Sequence, residues 1–87
     1  MTTSKQRAHR LRRVILEELT HTPRGHMQPQ EAIENSTRLS LCPAPTEAEL
    51  DDAFRYLEAD ALIHREVDRL GVKRWCITSL GRSALEE

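Results

Sequence analysis

Apolar residues along this chain recur first at helical spacing and then at every second position, and the change falls near residue 61. Leu11, Val14, Ile15 and Leu19, with Glu18 on the same face, predict a first helix over about residues 5–20 with Ser4 as its N-cap. Thr22-Pro23-Arg24-Gly25 turns the chain, and His26-Met27-Gln28 is long enough only for a short strand. Pro29 suits the first position of a second helix, ending near Arg38, with Ala32, Ile33 and Ser36 facing inward. The prolines of Cys42-Pro43-Ala44-Pro45 make residues 39–45 a loop. Thr46 and Glu49 have capping-box spacing, and Leu50, Ala53, Phe54, Leu57 and Ala61 then mark the buried face of a third helix over about 46–60. Ile63, Arg65 and Val67 alternate with their neighbours, as do Lys73, Trp75 and Ile77; residues 68–72, with Gly71, join the two strands into a hairpin. Trp75 shares a strand face with Ile77 and is expected in the core, and residues 79–86 form a short closing helix with Gly81 packed closely at its start.

Composition narrows the architecture. The chain of 87 residues is expected to form one domain, 1–87, with one core. With 3% aromatic residues, that core must be built from Leu, Ile, Val and Ala, which suits helices on a small sheet, an α+β fold.

The formal net charge of −1 conceals a division by segment. Residues 1–26 carry six bases and two acids, residues 27–60 two bases and eight acids, and residues 61–87 five bases and four acids. Basic side chains in the first turns of a helix oppose its dipole, so residues 1–10 are expected to fray unless an anion or a partner holds them. The third helix opposes Glu47, Glu49, Asp51, Asp52, Glu58 and Asp60 to Arg55 alone.

Little in the chain suggests catalysis. There is no phosphate loop and no paired general acid and base, so no enzyme is expected. Cys42 and Cys76 lack metal-ligand spacing, and the four histidines are scattered, so neither a metal nor a cofactor is expected. A polar, basic start and the lack of any apolar run of about 20 residues point to a cytoplasmic protein without a membrane span.

The order helix, short strand, helix, helix, hairpin resembles the winged helix-turn-helix superfamily. Leu57-Glu58-Ala59-Asp60-Ala61-Leu62-Ile63 looks like the passage from recognition helix to wing, and Trp75-x-Ile77-Thr78-x-x-Gly81-Arg82 like the exit from the wing. The spacing, with Gly25-His26-Met27 before the second helix, is also similar to the DNA-binding half of ferric-uptake-type bacterial regulators, without their metal-binding dimerisation half. The resemblance implies a three-helix core with a β-hairpin wing and a short C-terminal helix. It also implies a bacterial or phage DNA-binding or transcription-regulator-like protein.

Carried over by position, the groove-facing side of the third helix would be Glu47, Asp51, Asp52, Arg55 and Glu58. Carboxylates accept from cytosine but cannot anchor phosphates. Duplex DNA is therefore expected to be held weakly and salt-sensitively by the wing and first helix, through Arg10, Arg13, Arg65, Arg69, Lys73 and Arg74. The alternative is a protein-interaction module. There the acidic third helix docks on a basic protein surface, which includes the Arg7, Arg10 and Arg13 side of a second copy in a homodimer.

Overall fold

The computed structural model describes residues 4–23 and 26–86, and the side chain of Ser4 is outside that description. The expected Ser4 cap and the Arg24-Gly25 part of the first turn therefore lie outside the described residues. Helix α1 (Ser4–Thr20) is followed by strand β1 (Gln28–Pro29), α2 (Gln30–Ser40), α3 (Glu47–Ala59), β2 (Ile63–Val67), β3 (Lys73–Ile77) and α4 (Ser79–Glu86). The three strands form an antiparallel sheet in the order β1-β3-β2, with Gln28 opposite Trp75 on one side of β3 and Arg65 opposite Trp75 on the other. This is the expected α+β arrangement of a helical core under a hairpin.

Helix α1 buries Leu11, Ile15 and Leu19 at intervals of four, and Leu16 as well. That stripe meets Ile33 of α2 and Leu50, Ala53, Phe54 and Leu57 of α3, while Ile63 and Trp75 close the core from the sheet. Each large apolar side chain so removed from water contributes about 1.5–3 kcal/mol. The Phe54 and Trp75 rings lie 5.1 Å apart at 30°, and this contact joins α3 to the wing.

Three positions expected to face inward differ from expectation. Ala32 is exposed and Ser36 only half-buried; Thr37, one turn after Ile33, is fully buried instead. A buried hydroxyl needs a partner, and Thr37 Oγ1 donates to the Ile33 carbonyl at 2.7 Å, so the polar residue is satisfied without leaving the apolar stripe. Ala61 is also exposed, because α3 has already ended. The Ala61 N–H donates to the Glu58 carbonyl at 3.0 Å and the Leu62 N–H to the Leu57 carbonyl at 2.9 Å, with Ala61 at φ 59°. This is a Schellman-type terminus with alanine in the left-handed position that glycine usually takes.

The other end of α3 is as expected. Thr46 accepts from the Glu49 N–H at 3.2 Å, and Glu49 accepts from the Thr46 N–H at 3.0 Å. At the base of the wing, Thr78 Oγ1 donates to the Ala61 carbonyl at 2.7 Å and accepts from the Gly81 N–H at 3.1 Å. A Cβ on Gly81 would run into the Leu62 carbonyl oxygen and lie 2.7 Å from Ile77 Cγ1, so only glycine lets α4 start this close to the wing.

Candidate nucleic-acid interface

The hairpin register sorts the wing bases onto two faces. Cross-strand partners point the same way, so Arg65 with Trp75 and Val67 with Lys73 share the face turned toward α3, while Glu66 with Arg74 and His64 with Cys76 share the other. Arg65, Lys73 and Arg74, adjacent in the expected basic cluster, are thus split, and Arg74 is the one facing away. On the α3 side, Arg65 and Lys73 line a cleft of about 230 Å³ with Asp51, Arg55 and Glu58. The cleft floor is fixed by Trp75, whose indole N–H donates to the Gln30 side-chain oxygen at 3.0 Å. Gln30 had no signal in the sequence pattern.

The wing tip is built around one carboxylate. Asp68 Oδ1 accepts from the N–H groups of Leu70 and Val72 at 2.9 and 3.0 Å, and Oδ2 from Arg74 Nε at 3.2 Å. These donors hold the Asp68 carboxyl below the usual carboxylate range, the Val72 amide foremost. The Asp68 carbonyl accepts from the Gly71 N–H at 3.0 Å, which places Arg69 and Leu70 at the two corners of the turn, and Gly71 follows at φ 81°. A type I turn followed by a left-handed residue is a common three-residue hairpin connection.

Helix α3 divides in the same way into two flanks. On the wing flank, Arg55 pairs with Asp51 at 3.1 Å and Arg65 with Glu58 at 3.3 Å. The opposite flank faces α1. There Arg7 Nε meets Glu49 Oε2 at 2.6 Å, its other end donates to the Pro43 carbonyl at 3.0 Å, and Arg12 lies 3.9 Å over the exposed Tyr56 ring. The Arg7 hydrogen bond, helped by the Thr46 amide, brings the Glu49 carboxyl down from 4.5 to about 2. Arg7 therefore anchors the basic first turns of α1 to the N-terminus of α3. This long-range pair was not evident from sequence spacing.

Among the described residues, Glu47 and Asp52 of α3, and Asp60 just past its end, have no ion-pair partner; Glu49, Asp51 and Glu58 each hold an arginine. Of the bases expected to bind DNA, Arg13 pairs with Glu17 at 3.2 Å, Arg65 with Glu58, and Arg74 with Asp68. Arg10, Arg69 and Lys73 have no ion-pair partner among the described residues, and all three are exposed. Arg10 and Arg13 line a separate depression beside His21 and Ser40, so the first-helix bases and the wing bases do not share one cleft.

Cys42 is an exposed free thiol and Cys76 a half-buried one. Among the described residues no group of three His, Cys, Asp or Glu side chains is placed to hold a metal, and no helix is long and apolar enough to cross a membrane.

No protein-family model matches the sequence, and no curated protein matches it. Solved structures do match the fold. A transcriptional regulator from Clostridium thermocellum superposes with a TM-score of 0.78 at 18% identity, over 99% of this chain and 82% of that one. A MarR-family transcriptional regulator from Silicibacter pomeroyi gives 0.70 at 22%, over 87% of this chain and 46% of that one, so the chain spans less than half of that regulator's length. A point mutant of Staphylococcus aureus MepR, bound to an oligodeoxyribonucleotide, gives 0.66 at 24%, over 94% of this chain and 62% of that one. Helix order, sheet topology and these superpositions together establish that the chain has the winged helix-turn-helix fold.

Proposed function

We propose that this chain is a small DNA-binding protein of the transcription-regulator kind, acting as a single winged-helix domain in the cytoplasm. It contacts duplex DNA chiefly through its wing and first helix. The observation that carries the reading is the distribution of unpaired charge. Among the described residues, the exposed cations without an ion-pair partner include Arg69 and Lys73 on the wing and Arg10 on α1, whereas three of the five acids on α3 are paired with arginines of this same chain. The fold supports it further, since one structure of that shape, the MepR mutant, is bound to an oligodeoxyribonucleotide.

Free cations bind phosphate by releasing condensed counterions, and each phosphate neutralised steepens the salt dependence by about 0.9 log unit. Arg65 and Arg74 contribute less, because each must first release a carboxylate. Asp51 and Glu58 at the mouth of the wing cleft disfavour deep entry of a phosphate backbone, so binding is weak and sequence-tolerant. The protein-interaction alternative has less support: Glu58 and Asp51 are already occupied, which leaves Glu47 and Asp52 as the unpaired members of the proposed docking face.

Fluorescence anisotropy of a labelled random duplex, titrated between about 50 and 200 mM salt, tests the reading. Three free cations predict a log–log slope of about −2 to −3. Absence of binding at the lowest salt would overturn the proposal.

A further inference from the structure

We infer that the cleft between the outer face of the wing and the start of α4 binds a small aliphatic monocarboxylate, with Arg82 holding the carboxylate and an apolar wall taking the chain. The cleft lies on the wing face turned away from α3, so the inference stands apart from the DNA-binding reading.

Its volume is about 500 Å³, within the range of roughly 300–1,000 Å³ usual for small-ligand sites. Three elements wall it: the segment between α1 and β1, the His64 and Cys76 face of the hairpin, and the first turn of α4. Their placement is fixed. Thr78 bonds both the Ala61 carbonyl and the Gly81 amide, and Gly81 sets α4 against the Leu62 backbone with no room for a Cβ. Ser79 and Arg82, three residues apart on α4, thereby both border the cleft.

Arg82 is the residue that calls for a ligand. It is half-buried, yet among the described residues its guanidinium has no ion pair and no hydrogen bond. Arg10, Arg69 and Lys73 are also unpaired but stand in water, and Arg12 lies over the Tyr56 ring. A guanidinium drawn partly out of water without an acceptor is best compensated by an anion. The Ser79 hydroxyl and the His64 ring N–H add donors on the walls beside it. Among the described residues one acid lines the cleft, Glu66, two residues farther along β2 from α4 than His64 and 3.6 Å from His64 Nε2. It leaves room for one negative charge at Arg82 and repels a second. Pro23, Met27 and Ile77 supply the apolar wall, and no Phe, Tyr or Trp among the described residues offers a ring to stack on. A flexible aliphatic chain therefore fits this wall better than a planar aromatic one.

The probes are hexanoate, acetate and hexanamide, titrated into the full chain and followed by amide nuclear magnetic resonance. Hexanoate is expected to give saturable shifts at His64, Cys76, Ser79 and Arg82. Acetate, which lacks the chain, and hexanamide, which lacks the charge, should each bind at least about tenfold more weakly. Arg82→Gln should lower hexanoate affinity roughly tenfold, and Arg82→Lys should recover part of it. Circular dichroism should show the parent's thermal midpoint for Arg82→Gln, since the side chain has no partner to lose. The inference is overturned if hexanamide or acetate binds as well as hexanoate, if Arg82→Gln binds hexanoate as the parent does, or if the shifts centre on Arg12 and Tyr56 instead. Should Arg82→Gln fail to fold, the three probes and the shift map on the parent decide the matter. A parent that does not bind hexanoate overturns the site and leaves salt-dependent binding of duplex DNA untouched.

Discussion

The wing and the third helix are neighbours with opposite charge, and they differ more in how that charge is engaged than in its sign. On α3, three acids are tied to arginines from α1, from β2 and from the helix itself. On the wing, one acid, Asp68, shapes the turn, and two bases, Arg69 and Lys73, have no ion-pair partner among the described residues. Formal charge summed along a helix therefore misjudges the surface it presents. Charge that is free to act is found where the fold has no use for it.

The largest expected effect comes from separating the two regions. Phe54→Ala removes the ring that stacks on Trp75 and should cost roughly 3–5 kcal/mol in denaturant unfolding, a large part of the stability of a domain this size. An unchanged unfolding midpoint would show that wing and helix are not held by this contact. Gly81→Ala attacks the base of the wing, where a Cβ meets the Leu62 carbonyl, and should cost about 1–3 kcal/mol by the same measurement.

Next in size is the division between free and engaged cations. Arg69→Ala with Lys73→Ala should weaken duplex binding roughly tenfold at low salt and flatten the salt slope by nearly two units. Arg65→Ala with Arg74→Ala should do markedly less, since these side chains are held by Glu58 and Asp68. Equal losses from the two double variants, read by anisotropy, would mean that the ion pairs do not restrain the wing.

The α1 flank of α3 has a pH signature of its own. Glu49 is held at about 2 against 4.5 in the unfolded chain, so its contribution to stability is complete above about 4.5 and is lost as pH falls toward 2. Glu49→Gln should remove that part of the acid dependence of the thermal midpoint; a variant with the parent's acid profile would contradict the role given to the Arg7 pair. The smallest effect concerns single acids. Asp51→Asn frees Arg55 on the wing flank and should tighten DNA binding by less than about threefold, in line with the modest worth of exposed pairs, while Asp52→Asn on the other flank should leave it unchanged.

The sequence disclosed what local rules determine. Thr46 and Glu49 announced the start of α3, period-two alternation the two wing strands, and Gly81 the close start of α4. Local rules failed where a tertiary contact or a special backbone geometry decided the outcome. Ala61 continues the apolar period of α3 but sits past its end in a left-handed conformation, and alanine carries no glycine-like signal there. Thr37 is buried in place of Ala32 because its hydroxyl is satisfied within the helix. The site was less legible than the fold. Arg7 and Glu49 are 42 positions apart, and only folding shows that α3 spends this carboxylate on α1. The basic residues of the wing were visible, but which of them are engaged depends on hairpin register and on the Asp68 turn.

The most direct test of the central claim, that the unpaired cations of the wing rather than the face of α3 meet DNA, is the amide nuclear magnetic resonance spectrum of the chain during titration with a short duplex at low salt. The account predicts the largest shifts at Arg69, Leu70, Gly71 and Lys73, smaller ones near Arg10, and little change at Glu47 and Asp52. Strong shifts along the exposed face of α3 with a silent wing tip would contradict it.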